Sequence, residues 1–172
     1  MNPTRTYDYL ALARERLFTA AADLTEVDYT REFRIGPGSL ARTFTHMLIS
    51  EWYYIERLLE REVPPYAEWP IKDEHPLPFS DLATTWRAQA ESTRAAIASE
   101  RDWSRPIVYR VTDDDRRLVR ATCTAGDMLT QLALHEVHHR AQALNMLRQL
   151  GVSLEDIDFN AMMYDREFIT EG

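Results

Sequence analysis

The chain has 172 residues, 45% hydrophobic and 28% charged, with only 5 Gly and 8 Pro, so disordered, fibrous and collagen-like classes are excluded and one globular domain over residues 1–172 is expected. A formal charge of -8 without any Lys/Arg block argues against a nucleic-acid partner. The single cysteine, Cys123, excludes an intrachain disulfide and a Cys-rich metal site; with no apolar run longer than Tyr9–Ala13 and no secretory pattern at the N-terminus, a cytoplasmic protein that does not enter the membrane is expected.

In chain order, Leu10, Ala13, Leu17, Ala20, Ala21 and Leu24 recur at three- and four-residue steps and predict a first helix over 4–24. Gly36-Pro37-Gly38 breaks the chain, and Ser39 stands as N-cap of a second helix carrying Leu40, Phe44, Met47, Leu48, Ile55, Leu58 and Leu59, ending near Glu62. Five prolines between Pro64 and Pro78 predict an ordered crossover loop. Ser80-Asp81 then caps a third helix, marked by Leu82, Trp86, Ala90, Thr93 and Ile97 up to about Glu100. Ile107, Val108, Tyr109 and Val111, a polar turn at Asp113-Asp114-Asp115, and Leu118, Val119 and Thr122 read as a two-stranded hairpin. The fourth helix runs from about Thr124 to Leu150 and stops at Gly151, and Phe159, Met162, Met163 and Tyr164 suggest a short terminal helix. The fold class is all-α: a four-helix bundle with a long crossover between the second and third helices and a small β-hairpin before the fourth.

Three of the 5 histidines fall within His135-Glu136-Val137-His138-His139 on the fourth helix. Residues i and i+4 share a helix face, so His135 and His139 present two imidazoles to one point, a spacing suited to Zn, Ni or Fe, and Met128, Leu132, Gln142 and Met146 place that face toward the core. The same pair also reads as two satisfied core histidines. A third ligand has two sources. The stretch matches H-E-x-x-H, which would make Glu136 a zincin base with Glu155 or Asp158 as third ligand, although Glu136 also precedes Arg140 by four residues, the spacing of a surface ion pair. The other source is His46, which the helical wheel places opposite the apolar stripe, with Thr43, Ser50 and Tyr53, on either a solvated face or a second face lining a cavity. His138 reads as solvent-facing or as a support to the ligands, and Cys123 as a small core residue.

A second helix carrying a lone His46 followed by Glu51 and Tyr53, a hairpin, and the stretch His135-Glu136-Val137-His138-His139-Arg140-Ala141-Gln142 together resemble the DinB/YfiT superfamily over essentially the whole chain, with Ala141 where the family often has glycine. The resemblance implies a four-helix bundle, commonly a homodimer, holding a divalent metal through His46, His135 and His139. It also implies a small-molecule substrate, and the characterised relatives include thiol-dependent S-transferases and isomerases that use a low-molecular-weight thiol. Three neutral ligands would leave the ion its full charge to activate a thiol or water for transfer or hydrolysis. The rival reading is a non-catalytic bundle whose histidines serve binding or dimerisation.

Overall fold

The computed structural model describes residues 2–112 and 115–167; of the predicted turn, Asp113 and Asp114 lie outside the described residues. Its elements are α1 (Pro3–Ala21), α2 (Glu26–Thr30), α3 (Leu40–Leu58), a 3-10 turn (Tyr66–Glu68), α4 (Phe79–Ser99), β1 (Pro106–Thr112), β2 (Leu118–Thr124), α5 (Ala125–Gln149) and α6 (Phe159–Met163). The four long helices α1, α3, α4 and α5 are those the periodicity predicts. Each of α3 and α1 packs on both α4 and α5, which closes the bundle. The chain from 59 to 78 is the crossover, and the antiparallel strands β1 and β2 pair from Pro106↔Thr124 to Thr112↔Leu118, with Ile107 buried.

Local signals set most boundaries. Ser39 caps α3 by accepting from Arg42 N, and Thr124 with Asp127 forms a reciprocal capping box at the start of α5. Gly151, at φ +78°, takes the left-handed conformation that ends α5. Three expectations are corrected. The first helix stops at Ala21, because Thr25 starts the short α2 with a side-chain cap on Asp28 N. The second ends at Leu58, where Glu60 turns the chain at φ +54°. α4 opens two residues early, with Pro78 as its N-cap, so Ser80 and Asp81 lie in its first turn, where Asp81 complements the positive end of the helix without capping it.

The core forms two apolar clusters. One holds Leu10, Ile55, Leu58, Ile97, Met128 and Leu132, the other Leu17, Phe44, Leu82, Trp86, Met146 and Leu147. Between them along α1, α3 and α5 lie Arg14, Glu51 and Glu136, all buried. Arg14 Nη2 lies 2.9 Å from Glu51 and 3.1 Å from Glu136. Glu51, fully buried, also accepts from Trp86 Nε1 at 2.7 Å, from Thr93 Oγ1 at 2.6 Å and from the Tyr7 hydroxyl. Burial alone would push the Arg14 guanidinium toward losing its proton, but Glu136 and Glu51 outweigh it and raise its pKa. One carboxylate thus collects donors from α1 and α4 while sitting on α3. Because removing one partner strands a buried charge, Glu51→Ala should lower the unfolding free energy by about 3–5 kcal/mol in urea denaturation followed by circular dichroism; a loss below about 1 kcal/mol would contradict this role.

Candidate metal centre

The wheel position of His46 is resolved by what faces it. Thr43 and Ser50, on the same stripe of α3, are buried. The Thr43 hydroxyl lies 3.9 Å from Met146 Sδ of α5, so this second face of α3 is covered by α5 and not by solvent. His46 Nε2 lies 3.1 Å from His135 Nε2, and one nitrogen each of His46, His135 and His139 fall within 4.8 Å of one another. Four ligands at the usual Zn–N length of ~2.0–2.1 Å in a tetrahedron are ~3.3 Å apart along each edge, so the His46–His135 separation fits one such edge. Three imidazole nitrogens are also a donor set suited to zinc, nickel or iron. The residues present therefore fit a divalent ion.

The ring orientations are held from outside the cluster. His46 Nδ1–H donates to Asp73 Oδ1 at 3.1 Å, and His139 Nδ1–H donates to Gln142 Oε1 at 2.8 Å, which leaves their Nε2 lone pairs free for the common point. The amide of Gln142 in turn donates to His138 Nε2 at 2.9 Å, so exposed His138 supports His139 at one remove. Asp73 reaches His46 from the crossover, whose backbone Leu77 N–H donates to Thr45 Oγ1 of α3 and whose Tyr66 hydroxyl accepts from Asp73 N. Burial, and then the neighbouring His139 and His46, press the His135 pKa down to about 3, while burial first lowers that of His139 as well. Both rings are neutral at physiological pH, the state in which imidazole ligates.

The zincin arrangement does not assemble. Glu136 is 2% exposed and faces Arg14 of α1, not the histidines. The predicted surface pair with Arg140 is corrected too. Arg140 is itself buried and donates to the Tyr9 hydroxyl, because both side chains lie on the inward side of α5 against α1. Burial raises the Glu136 pKa and Arg14 opposes it, but no path to solvent makes it a base. Glu155 is exposed and paired with Arg16, and among the described residues neither it nor Asp158 joins the histidine cluster. Cys123 is half-buried beside the hairpin core, its pKa raised by burial and Asp127, the reverse of an activated thiol. Ala141 is exposed, so the glycine it replaces is not needed for helix contact.

Of the residues that build the site, Gln142 was legible at three residues beyond His139. Asp73 was not, since a loop carboxylate leaves no periodic signal. Nor was Gly36, in the left-handed region at φ +49°, where an added Cβ would lie 2.1 Å from Gln142 Oε1.

A helical bundle with three histidines converging from two of its helices belongs to the class of candidate metal-binding bundle proteins. More particularly, residues 1–169 match the DinB family, and the chain belongs to it. No curated protein matches. No helix of the described residues is long and apolar enough to cross a membrane.

Supports of this kind typically change metal affinity by about 10–100-fold. Gly36→Ala, which displaces Gln142, should therefore weaken zinc binding by about tenfold in competition with a chromogenic chelator. Wild-type affinity in that variant would show that Gln142 does not hold His139.

Proposed function

We propose that residues 1–172 form one metal-dependent enzyme domain in which His46, His135 and His139 bind a divalent ion for thiol transfer to, or hydrolysis of, a small molecule. The observation that carries this reading is the convergence of three imidazoles beside an open cleft of about 700 Å³ that begins at His46 and is walled by Tyr53, Tyr54 and Trp69. When bound, a divalent ion held by three neutral ligands keeps its full charge and supplies a Lewis acid near neutral pH. The chain's own residues do the rest. Asp73 and Gln142 fix the rings of His46 and His139, Ser50 Oγ lies 3.3 Å from His135 Nε2 at the head of the cleft, and the aromatic side chains offer an apolar wall to a bound molecule. A low-molecular-weight thiol suits the S-transferase form of this reaction, and the reducing cytoplasm suits a chain whose single cysteine is unpaired.

Metal analysis of protein loaded with zinc, nickel or iron should give about one ion per chain. His46→Ala, His135→Ala and His139→Ala should each lose it, and full occupancy in all three would sink the assignment. Occupancy lost only on replacing Glu155 or Asp158 would restore the zincin reading.

We also propose a homodimer packed through helices. What supports pairing is exposed apolar surface, with Leu134 at 63% and Val137 at 42% on α5, and Leu12 at 48% on α1. Sedimentation equilibrium should return about twice the 20.1 kDa chain mass at micromolar concentration; a single chain mass there would refute pairing.

A further inference from the structure

The cleft beside the histidines is electrostatically lopsided. Its acidic group, Asp73, sits at the His46 end and is already engaged by that ring. Its other end holds Arg57, the continuation of the same stripe of α3. His46, Ser50, Tyr53 and Arg57 recur at four, three and four residues, so they face one way and span ~16 Å of helix axis.

Arg57 has no ion-pair partner among the described residues. By contrast, Arg16, Arg42, Arg61, Arg87 and Arg105 each meet a carboxylate. The acids nearest to Arg57 in sequence are committed elsewhere, Glu56 to Arg61 at 3.0 Å and Glu60 to Arg105 at 2.7 Å. Instead, the Arg57 guanidinium is held between two rings, 5.0 Å from the centre of Tyr53 and 4.7 Å from that of Tyr109, and its Nε is buried without a hydrogen-bond partner. Stacking of this sort rigidifies the fork and removes water from it while leaving its charge uncompensated. The hairpin adds to the imbalance. Arg110, which lines the cleft, lies opposite Arg120 in the β1–β2 register, a like-charge pair that costs stability unless an anion offsets it. In a chain of net charge -8, this is a built positive end within a cleft.

We propose that the cleft takes an elongated small-molecule anion, its carboxylate or phosphate bound by Arg57 with Arg110 at the rim, and its flat apolar body against Tyr53 and Trp69. The inference rests on the reading of the histidines as the reacting end, and it adds the substrate's charge and length. A planar fork matches either oxyanion by two parallel N–H donors. With the anion at Arg57, the body of the molecule extends along α3 toward Ser50 and His46.

The test is isothermal titration of the zinc-loaded protein with 4-phenylbutyrate, 3-phenylpropyl phosphate and the neutral 4-phenylbutyramide. At least one anion should bind about tenfold tighter than the amide, a factor one charge-assisted hydrogen bond can supply, and the tighter of the two names the class. Arg57→Gln should abolish that preference, Arg57→Lys should restore part of it, and Arg110→Gln, on an exposed side chain, should reduce it without touching the fold. Metal content should stay at the wild-type value in all three variants. The preference should also survive chelation of the metal, which separates an anion on Arg57 from one bound to the ion. Equal binding of anions and amide, a preference that persists in Arg57→Gln, or one that disappears with the metal would each overturn the proposal. A wild-type protein that binds no metal, yet shows the Arg57-dependent preference, would overturn the metal reading and leave the anion site standing.

Discussion

The fold turns on the position of one buried cation. Arg14 on α1 lies within ion-pair distance of Glu51 on α3 and Glu136 on α5, in a layer between two apolar clusters. A buried charge of this kind contributes little net stability compared with apolar packing, yet it is costly to misplace, so it discriminates strongly between rotations of the helices that carry its partners. Successive side chains on a helix are ~100° apart. Holding Glu136 against α1 therefore turns its neighbour His135, and His139 one turn on, toward α3. The same constraint brings Glu51 to Arg14 and so leaves His46 and Ser50, on another side of α3, facing α5. The convergence of the three imidazoles follows from where the charge network lies.

This arrangement separates two kinds of polar group that the sequence sets side by side. Glu136 is flanked by the histidine stretch but belongs to the structural layer, enclosed by Arg14 and apolar neighbours. His135 and His139 instead meet His46 at the head of the cleft, where Asp73 orients the His46 ring, Gln142 orients His139, and burial keeps His135 and His139 neutral. The cleft is thereby kept apart from the structural charge layer. Its walls are aromatic, its histidine end carries Asp73 against the His46 ring, and its far end carries the Arg57 guanidinium, which meets no carboxylate among the described residues. On the proposed reading, a cleft so polarised along its length suits a small molecule with its reacting group and its charge at opposite ends.

Sequence by itself determined the four long helices, the crossover, the hairpin and the His135/His139 pair, because each rests on local periodicity, capping or proline content that neighbouring residues settle among themselves. It also made the family legible through the histidine stretch and the lone His46. What only the tertiary structure decided is which of several adjacent polar residues faces which partner. The wheel placed His46 away from the apolar stripe of its helix, correctly, but a wheel carries no information on a second helix covering that face. The i,i+4 spacing of Glu136 and Arg140 suggested a surface pair, whereas both turn inward because long-range partners on α1, Arg14 and the Tyr9 hydroxyl, are there to meet them. Asp73 leaves no signal in its own neighbourhood, and Gly36 reads there only as part of a chain break. The roles of both arise from contacts with side chains 27 and 106 residues away along the chain, His46 and Gln142, and such contacts exist only once the helices have packed.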